Sequence, residues 1–72
     1  MEMNSLLSLI KNIRISMSIS QSAMAEKLGM STSFYGMLER GNRTLSVEYL
    51  FKIAEAFECT PIDLLMMLEK KD

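Results

Sequence analysis

With no histidine in the sequence, the thiol of Cys59 and the carboxylates are the first candidates for chemistry. A lone thiol with no imidazole to act as its base is a poor nucleophile, and one thiol cannot supply the four ligands of a zinc site. The acids Glu26, Glu39, Glu48, Glu55, Glu58 and Asp63 are scattered along the chain rather than paired. No catalytic residue, metal ligand or cofactor is therefore expected. Eight methionines are present, but Met17, Met24 and Met30 fall on inward helical stripes and read as core and interface filler rather than as soft metal ligands. What is left is binding.

Length and composition narrow the class. A chain of 72 residues is one domain at most, since domains typically run to about 100–150 residues. Hydrophobic residues make up 49% and there is one proline, which excludes a disordered tail. The single cysteine cannot staple the fold internally, which points to a reducing, cytoplasmic setting. No apolar run approaches the ~18 residues of a membrane span, and Glu2 stands where a signal peptide carries base. Neither a membrane nor a small-molecule ligand is expected as a partner. The net charge of −1 hides an uneven distribution. Residues 1–46 carry five basic against three acidic side chains, a net of +2, and residues 47–72 carry three against six, a net of −3.

The elements that must position any binding group are helices: Leu, Met, Ala, Ser, Glu and Lys are plentiful and no alternating strand pattern occurs. Asn4 or Ser5 can cap a first helix reaching about Met17, with Leu6, Leu9, Ile10, Ile13 and Met17 as its buried stripe. Ser20 caps a short second helix in which Met24, Ala25 and Leu28 face inward, and Gly29 ends it. Ser31 caps a third helix of about nine residues, with Tyr35 and Leu38 inward and Gly41 as its stop. After a loop over Asn42 to Leu45, Ser46 caps a fourth helix whose stripe is Val47, Leu50, Phe51, Ala54 and Phe57. Thr60-Pro61 signals the start of a fifth helix, about 61–69, with Asp63 well placed in its first turn. Helix, Gly29, one apolar residue, Ser31 cap, helix is the layout of a helix-turn-helix. The result is a compact all-α domain of five helices with that motif at helices 2–3, over about residues 20–40.

From Ile13 to Leu65 the chain closely resembles the Cro and phage-repressor (XRE-type) helix-turn-helix DNA-binding domains, with a lambda-repressor-like five-helix fold. The resemblance is carried by Ile13-Arg14, Ile19-Ser20-Gln21, Met24 through Ser31, Tyr35, Leu38-Glu39-Arg40-Gly41, Arg43, Ser46, Leu50, Ile53-Ala54, Ala56 and Thr60 through Leu65. It covers about three quarters of the chain with every spacing kept. Ser18 departs from the family's usual glycine, Thr44-Leu45 from a frequent Asn-Pro, and Gly36 and Met37 from the usual polar recognition residues. The stretch Arg43 to Val47 also looks like the restriction–modification controller proteins, a dimeric subset of the family.

The resemblance implies double-stranded DNA as the partner, with the third helix in the major groove. It assigns Thr32, Ser33, Phe34, Gly36 and Met37 to base edges. Hydroxyls can pair with several bases, and Met, Phe and the Thr methyl suit thymine methyl groups, but none makes a bidentate fork. Specificity would then lean on DNA shape and on the spacing of two half-sites. A glycine at 36 costs about 1 kcal/mol in a helix and would let the backbone approach DNA closely. Gln21 resembles a phosphate clamp at a helix start. Asn42 and Arg43 would reach the backbone, with Arg43 able to enter an adjacent groove, and Lys27 and Arg40 would add long-range attraction. Arg14 and Glu39 match the family's internal ion pair and are expected to be structural. Cys59 falls where the family has a small buried apolar residue.

The fifth helix is apolar all round, which a small monomer cannot fully cover. Ile62, Leu65 and Met66 share one stripe that can pack on the core, which leaves Leu64, Met67 and Leu68 for a two-fold partner. The reading is a transcriptional regulator, such as a repressor, that binds a palindromic operator as a homodimer. The alternative is a helix-turn-helix fold used as a protein-interaction module, such as an antitoxin.

Overall fold

The computed structural model describes residues 3–70, with side chains through Glu69. Five helices follow one another: α1 Met3–Ser16, α2 Gln21–Leu28, α3 Thr32–Arg40, α4 Val47–Ala56 and α5 Pro61–Lys70. Their starts are chemical. The hydroxyls of Ser20, Ser31 and Ser46 accept the N–H of Ala23, Phe34 and Tyr49, each satisfying an orphan donor of a first turn. At α5 the exchange is reciprocal: the Thr60 hydroxyl accepts the Asp63 N–H and the Asp63 carboxylate accepts the Thr60 N–H. Those two bonds with the Thr60 backbone and side chain hold the Asp63 carboxyl below its ordinary range.

The ends of α1 to α4 share one device. A residue in the left-handed region follows the helix, its N–H turns back three residues, and the next N–H reaches five residues back. Gly29 (φ 71°) and Met30 do this at α2, bonding Glu26 and Ala25 carbonyls. Gly41 and Asn42 do so at α3. At α1 and α4 the left-handed residue has a side chain: Ser18 (φ 59°) and Glu58 (φ 60°). Each sits where an L-residue is disfavoured by roughly 1–2 kcal/mol. Glycine is thus placed at the ends of α2 and of α3 and missing from the other two turns.

The core is built from Leu6 and Ile10 of α1, Met24, Ala25 and Leu28 of α2, Tyr35 of α3, Ile53 and Ala54 of α4, Phe57, and Leu64 of α5. Helices α2 and α3 pack on each other, α1 crosses α3 and α5, and α4 closes the globule against α2 and α5. The second and third helices bury the residues expected of them. Three expectations for the others need correction. Met17 lies beyond α1 and is exposed, while Leu7 and Arg14 occupy the buried stripe instead. On α4, Val47 is 70% and Phe51 58% exposed, so the inward face is Leu50, Ile53 and Ala54.

The face of α5 is the reverse of the one expected. Leu64 is fully buried and Leu68 packs half-buried beside it, whereas Ile62 and Met66 face outward and Leu65 is half-buried. Leu64 is therefore a core residue and is not free for a partner; of the three residues assigned to an interface, Met67 alone is exposed. The reason is that apolar residues all around a helix leave its periodicity no direction. Packing against both α1 and α4 selects the i, i+4 pair Leu64–Leu68. Among the described residues, no helix is long and apolar enough to cross a membrane.

Because Ser18 pays the left-handed penalty without any side-chain bond, Ser18→Gly should raise stability by about 0.5–1 kcal/mol, after allowing for the looser unfolded chain. Thermal unfolding would register this as a higher midpoint; an unchanged or lower one would show that Ser18 sits in its turn without strain.

Candidate nucleic-acid interface

The α2–α3 unit is tied to the end of α1 by a buried ion pair. Arg14 donates from Nε to Glu39 Oε2 at 2.7 Å and from Nη2 to Glu39 Oε1 at 3.1 Å, a bidentate fork. Its Nη1 donates to the Ile19 carbonyl at 2.7 Å, which ties down the α1–α2 link. Glu39 accepts two further bonds, from the Tyr35 hydroxyl at 2.7 Å and from Gln21 Nε2 at 3.0 Å. One carboxylate thus takes four hydrogen bonds from α1, α2 and α3. Burial opposes its ionisation, but the bonds from Arg14, Tyr35 and Gln21 prevail and hold the carboxyl below its ordinary range. Burial, then the bond to Glu39, pushes the Tyr35 phenol up. The bond to Glu39 raises the Arg14 guanidinium despite burial.

The outward face of α3 rests on this base. Thr32 and Ser33 are exposed, and Phe34 and Met37 are half-exposed. Gly36 needs correction: it is not a bare patch of backbone. A Cβ built there would stand 3.2 Å from Arg40 Nη1 and 3.8 Å from Gln21 Oε1, so both side chains cover it. The Arg40 guanidinium folds back over the helix, while Gln21 spans from Glu39 to the edge of Gly36. Reading the sequence left Arg40 as a distant charge. The signal was present, because at 100° per residue Arg40 falls on the stripe of Ser33, Gly36 and Met37, one turn beyond the glycine.

Gln21 is the first residue of α2, as a phosphate clamp requires, but its Nε2 is committed to Glu39. The donors offered at this helix start are instead backbone N–H groups. Ser20 takes the Ala23 N–H and the Met24 N–H bonds the Ser20 carbonyl, which leaves those of Gln21 and Ser22 facing off the first turn.

Asn42 and Arg43 are exposed in the loop after α3. Arg43 does not hang free: its guanidinium carbon lies 5.5 Å from the centre of the Phe34 ring. Phe34 meets Tyr49 edge-on, with ring centres 5.9 Å apart and planes at 65°. The structure thus gathers two groups on one helix, Gln21 with Gly36 and Arg40, and Phe34 with Arg43.

Nothing comparable surrounds the thiol. Burial, and then the nearby Asp63 carboxylate, push Cys59 up and away from thiolate chemistry. Among the described residues, no three of His, Cys, Asp and Glu gather closely enough to hold a metal ion.

Residues 10–64 match the family model described as helix-turn-helix. Among solved structures, the wild-type restriction–modification controller protein C.Esp1396I superposes with a TM-score of 0.83 at 25% identity, covering 93% of this chain and 87% of that one. A variant of the same controller gives 0.84 at 25% identity, over 94% and 88%. The clp gene regulator ClgR from Corynebacterium glutamicum gives 0.81 at 22% identity, over 93% and 71%, a likeness of fold. No curated protein sequence matches the chain.

Glu39 is more firmly ionised in the fold than in the unfolded chain, so its contribution is complete above about pH 4.5, the free group's value, and is lost as pH falls through the lower folded value. The urea midpoint should hold between pH 7 and 5 and fall below pH 4, and Glu39→Gln should flatten that fall. Arg14→Ala, which strands a buried carboxylate, should cost about 3–5 kcal/mol at neutral pH. An Arg14→Ala protein as stable as the parent would contradict this account.

Proposed function

The chain belongs to the helix-turn-helix family, and from that premise we infer that it is a DNA-binding transcriptional regulator that acts as a homodimer on a palindromic operator. The observation that carries the reading is the outward face of α3. It presents Thr32, Ser33 and Met37 with a guanidinium laid at each flank, Arg40 over Gly36 and Arg43 over Phe34. Cations and small hydroxyl side chains around one exposed helix suit a groove lined by phosphates. The regulator and controller neighbours support the same reading.

In this reading α3 enters the major groove, Thr32, Ser33 and Met37 meet base edges, and the backbone N–H groups of Gln21 and Ser22 meet a phosphate. Asn42 reaches the DNA backbone beside them. The net +2 of residues 1–46 draws the strand in, while the net −3 is carried by residues 47–72.

The partner surface is the exposed apolar face of α4 and α5. Two neighbouring hollows share Cys59 and Asp63: Phe51 lines one, with Lys52, Glu55 and Glu58 at its charged border, and Met66 and Met67 line the other. Val47 and Ile62 extend the apolar face. Such a patch on a small chain marks an interface, and a second copy offers the same patch back. Each copy measures 32 × 23 × 20 Å, so two joined side by side can set their recognition helices one helical turn apart, about 34 Å.

With about four to six phosphate contacts per dimer, log affinity for duplex DNA should fall by about 0.9 per contact for each log unit of salt. Arg43→Ala should weaken binding to all sequences and reduce that slope. DNA affinity indifferent to salt would sink the proposal. Phe51→Glu or Met66→Glu should give stable monomers by sedimentation, whereas Leu64→Ala should cost about 2–5 kcal/mol by emptying the core. An unaltered protein that is monomeric at high micromolar concentration would exclude the dimer.

A further inference from the structure

Phe34 is an unusual neighbour for the loop arginine that follows its helix. Its ring is half-buried and meets Tyr49 edge-on with ring centres 5.9 Å apart, and the backbone of Tyr49 is fixed in the first turn of α4, where its N–H is held by the Ser46 hydroxyl at 3.1 Å. Arg43 lies over that ring at 5.5 Å. The ion pairs among the described residues are Arg14–Glu39 and Lys52–Glu48, so Arg43 is not drawn to a carboxylate there. Its charge stays available, with the guanidinium carbon held over the ring. A guanidinium held by cation–π attraction keeps its N–H donors free and has fewer positions open to it.

The orientation of its plane decides what the group can recognise. A phosphate accepts a cation from many directions, whereas guanine O6 and N7 accept donors lying nearly in the base plane, a geometry that a planar fork meets best. The exposed residues of α3, Thr32 and Ser33, and half-exposed Met37 cannot form such a fork. We propose that Phe34, braced by Tyr49, is a positioning residue that presents Arg43 as the guanine-reading group of this protein. Phe34 then acts on specificity through Arg43 and not by touching a base itself. The proposal rests on the DNA-binding reading above.

The test begins by selecting bound duplexes from a random pool with the parent protein, whose sites should share a guanine in each half. Replacing that guanine by 7-deazaguanine, which removes N7, should lower parental affinity about tenfold. Arg43→Lys should bind with a similar salt slope but lose the guanine preference. Phe34→Leu keeps an apolar side chain and every charge. It should bind the selected site about three- to tenfold more weakly, bind random duplex as the parent does, and have no further effect in an Arg43→Ala background. Should Phe34→Leu prove unfolded by circular dichroism, Phe34→Met serves the same comparison. A Phe34 effect that persists undiminished without Arg43 would overturn the proposal. So would a guanine preference that survives Arg43→Lys but vanishes in Arg40→Lys, or one indifferent to 7-deazaguanine. A parent protein that binds no duplex at all would instead remove the DNA-binding reading on which the proposal stands.

Discussion

Glu39 has only 8% of its surface in water, and a carboxylate so placed is tolerable only if its oxygens are fully engaged. Four donors meet that demand, and they come from three different helices. The carboxylate therefore fixes where α1 and the start of α2 lie relative to α3. Apolar packing alone would leave those helices some freedom to slide, because Leu, Met and Ala surfaces accept small shifts. A bidentate fork with bonds of 2.7 and 3.1 Å does not. The order this imposes continues outward: Gln21 is held by Glu39, Gln21 and Arg40 cover Gly36, and the face of α3 is thereby shaped from its buried side.

Local chemistry made much of this legible in the sequence. Ser20, Ser31, Ser46 and Thr60 each cap the helix expected of them, and Gly29 and Gly41 stop the two helices they follow. Those signals act within a few residues, so no knowledge of tertiary structure is needed to read them. The position of Arg14 and Glu39 was legible through the family resemblance alone, since Leu7, which shares the buried stripe of α1 with Arg14, stands outside the stripe that the apolar pattern suggests.

The misread positions share a different physics. The inward face of α5 depends on which side α1 and α4 cover, which a helix with apolar residues on every side does not disclose. Val47 and Phe51 fit an amphipathic stripe on α4, yet α2 and α5 meet the helix from the Leu50–Ile53–Ala54 side. Gly36 was misread because its surroundings come from long side chains that start elsewhere. Arg40 begins four residues later and Gln21 on another helix, and a sequence read position by position sees an empty glycine. In each case the missing information was a contact between elements, not a propensity within one.

The outer face of α3 shows why small residues can be informative. A large side chain at 36 would push Arg40 off the helix, since even a Cβ would stand at 3.2 Å from its guanidinium. Phe34 does the opposite at the other edge of the helix: it adds surface on which Arg43 rests. One position makes room for a cation and the other supplies a platform for one. Thr32, Ser33 and Met37 carry no forked side chain, and the planar guanidiniums beside them come from Arg40 at the end of α3 and Arg43 in the loop after it. The helix is thus a frame for two arginines. The geometry of that frame is set by the same α2–α3 unit that Glu39 holds together, so stability of the buried carboxylate and precision at the outer face are properties of one rigid piece.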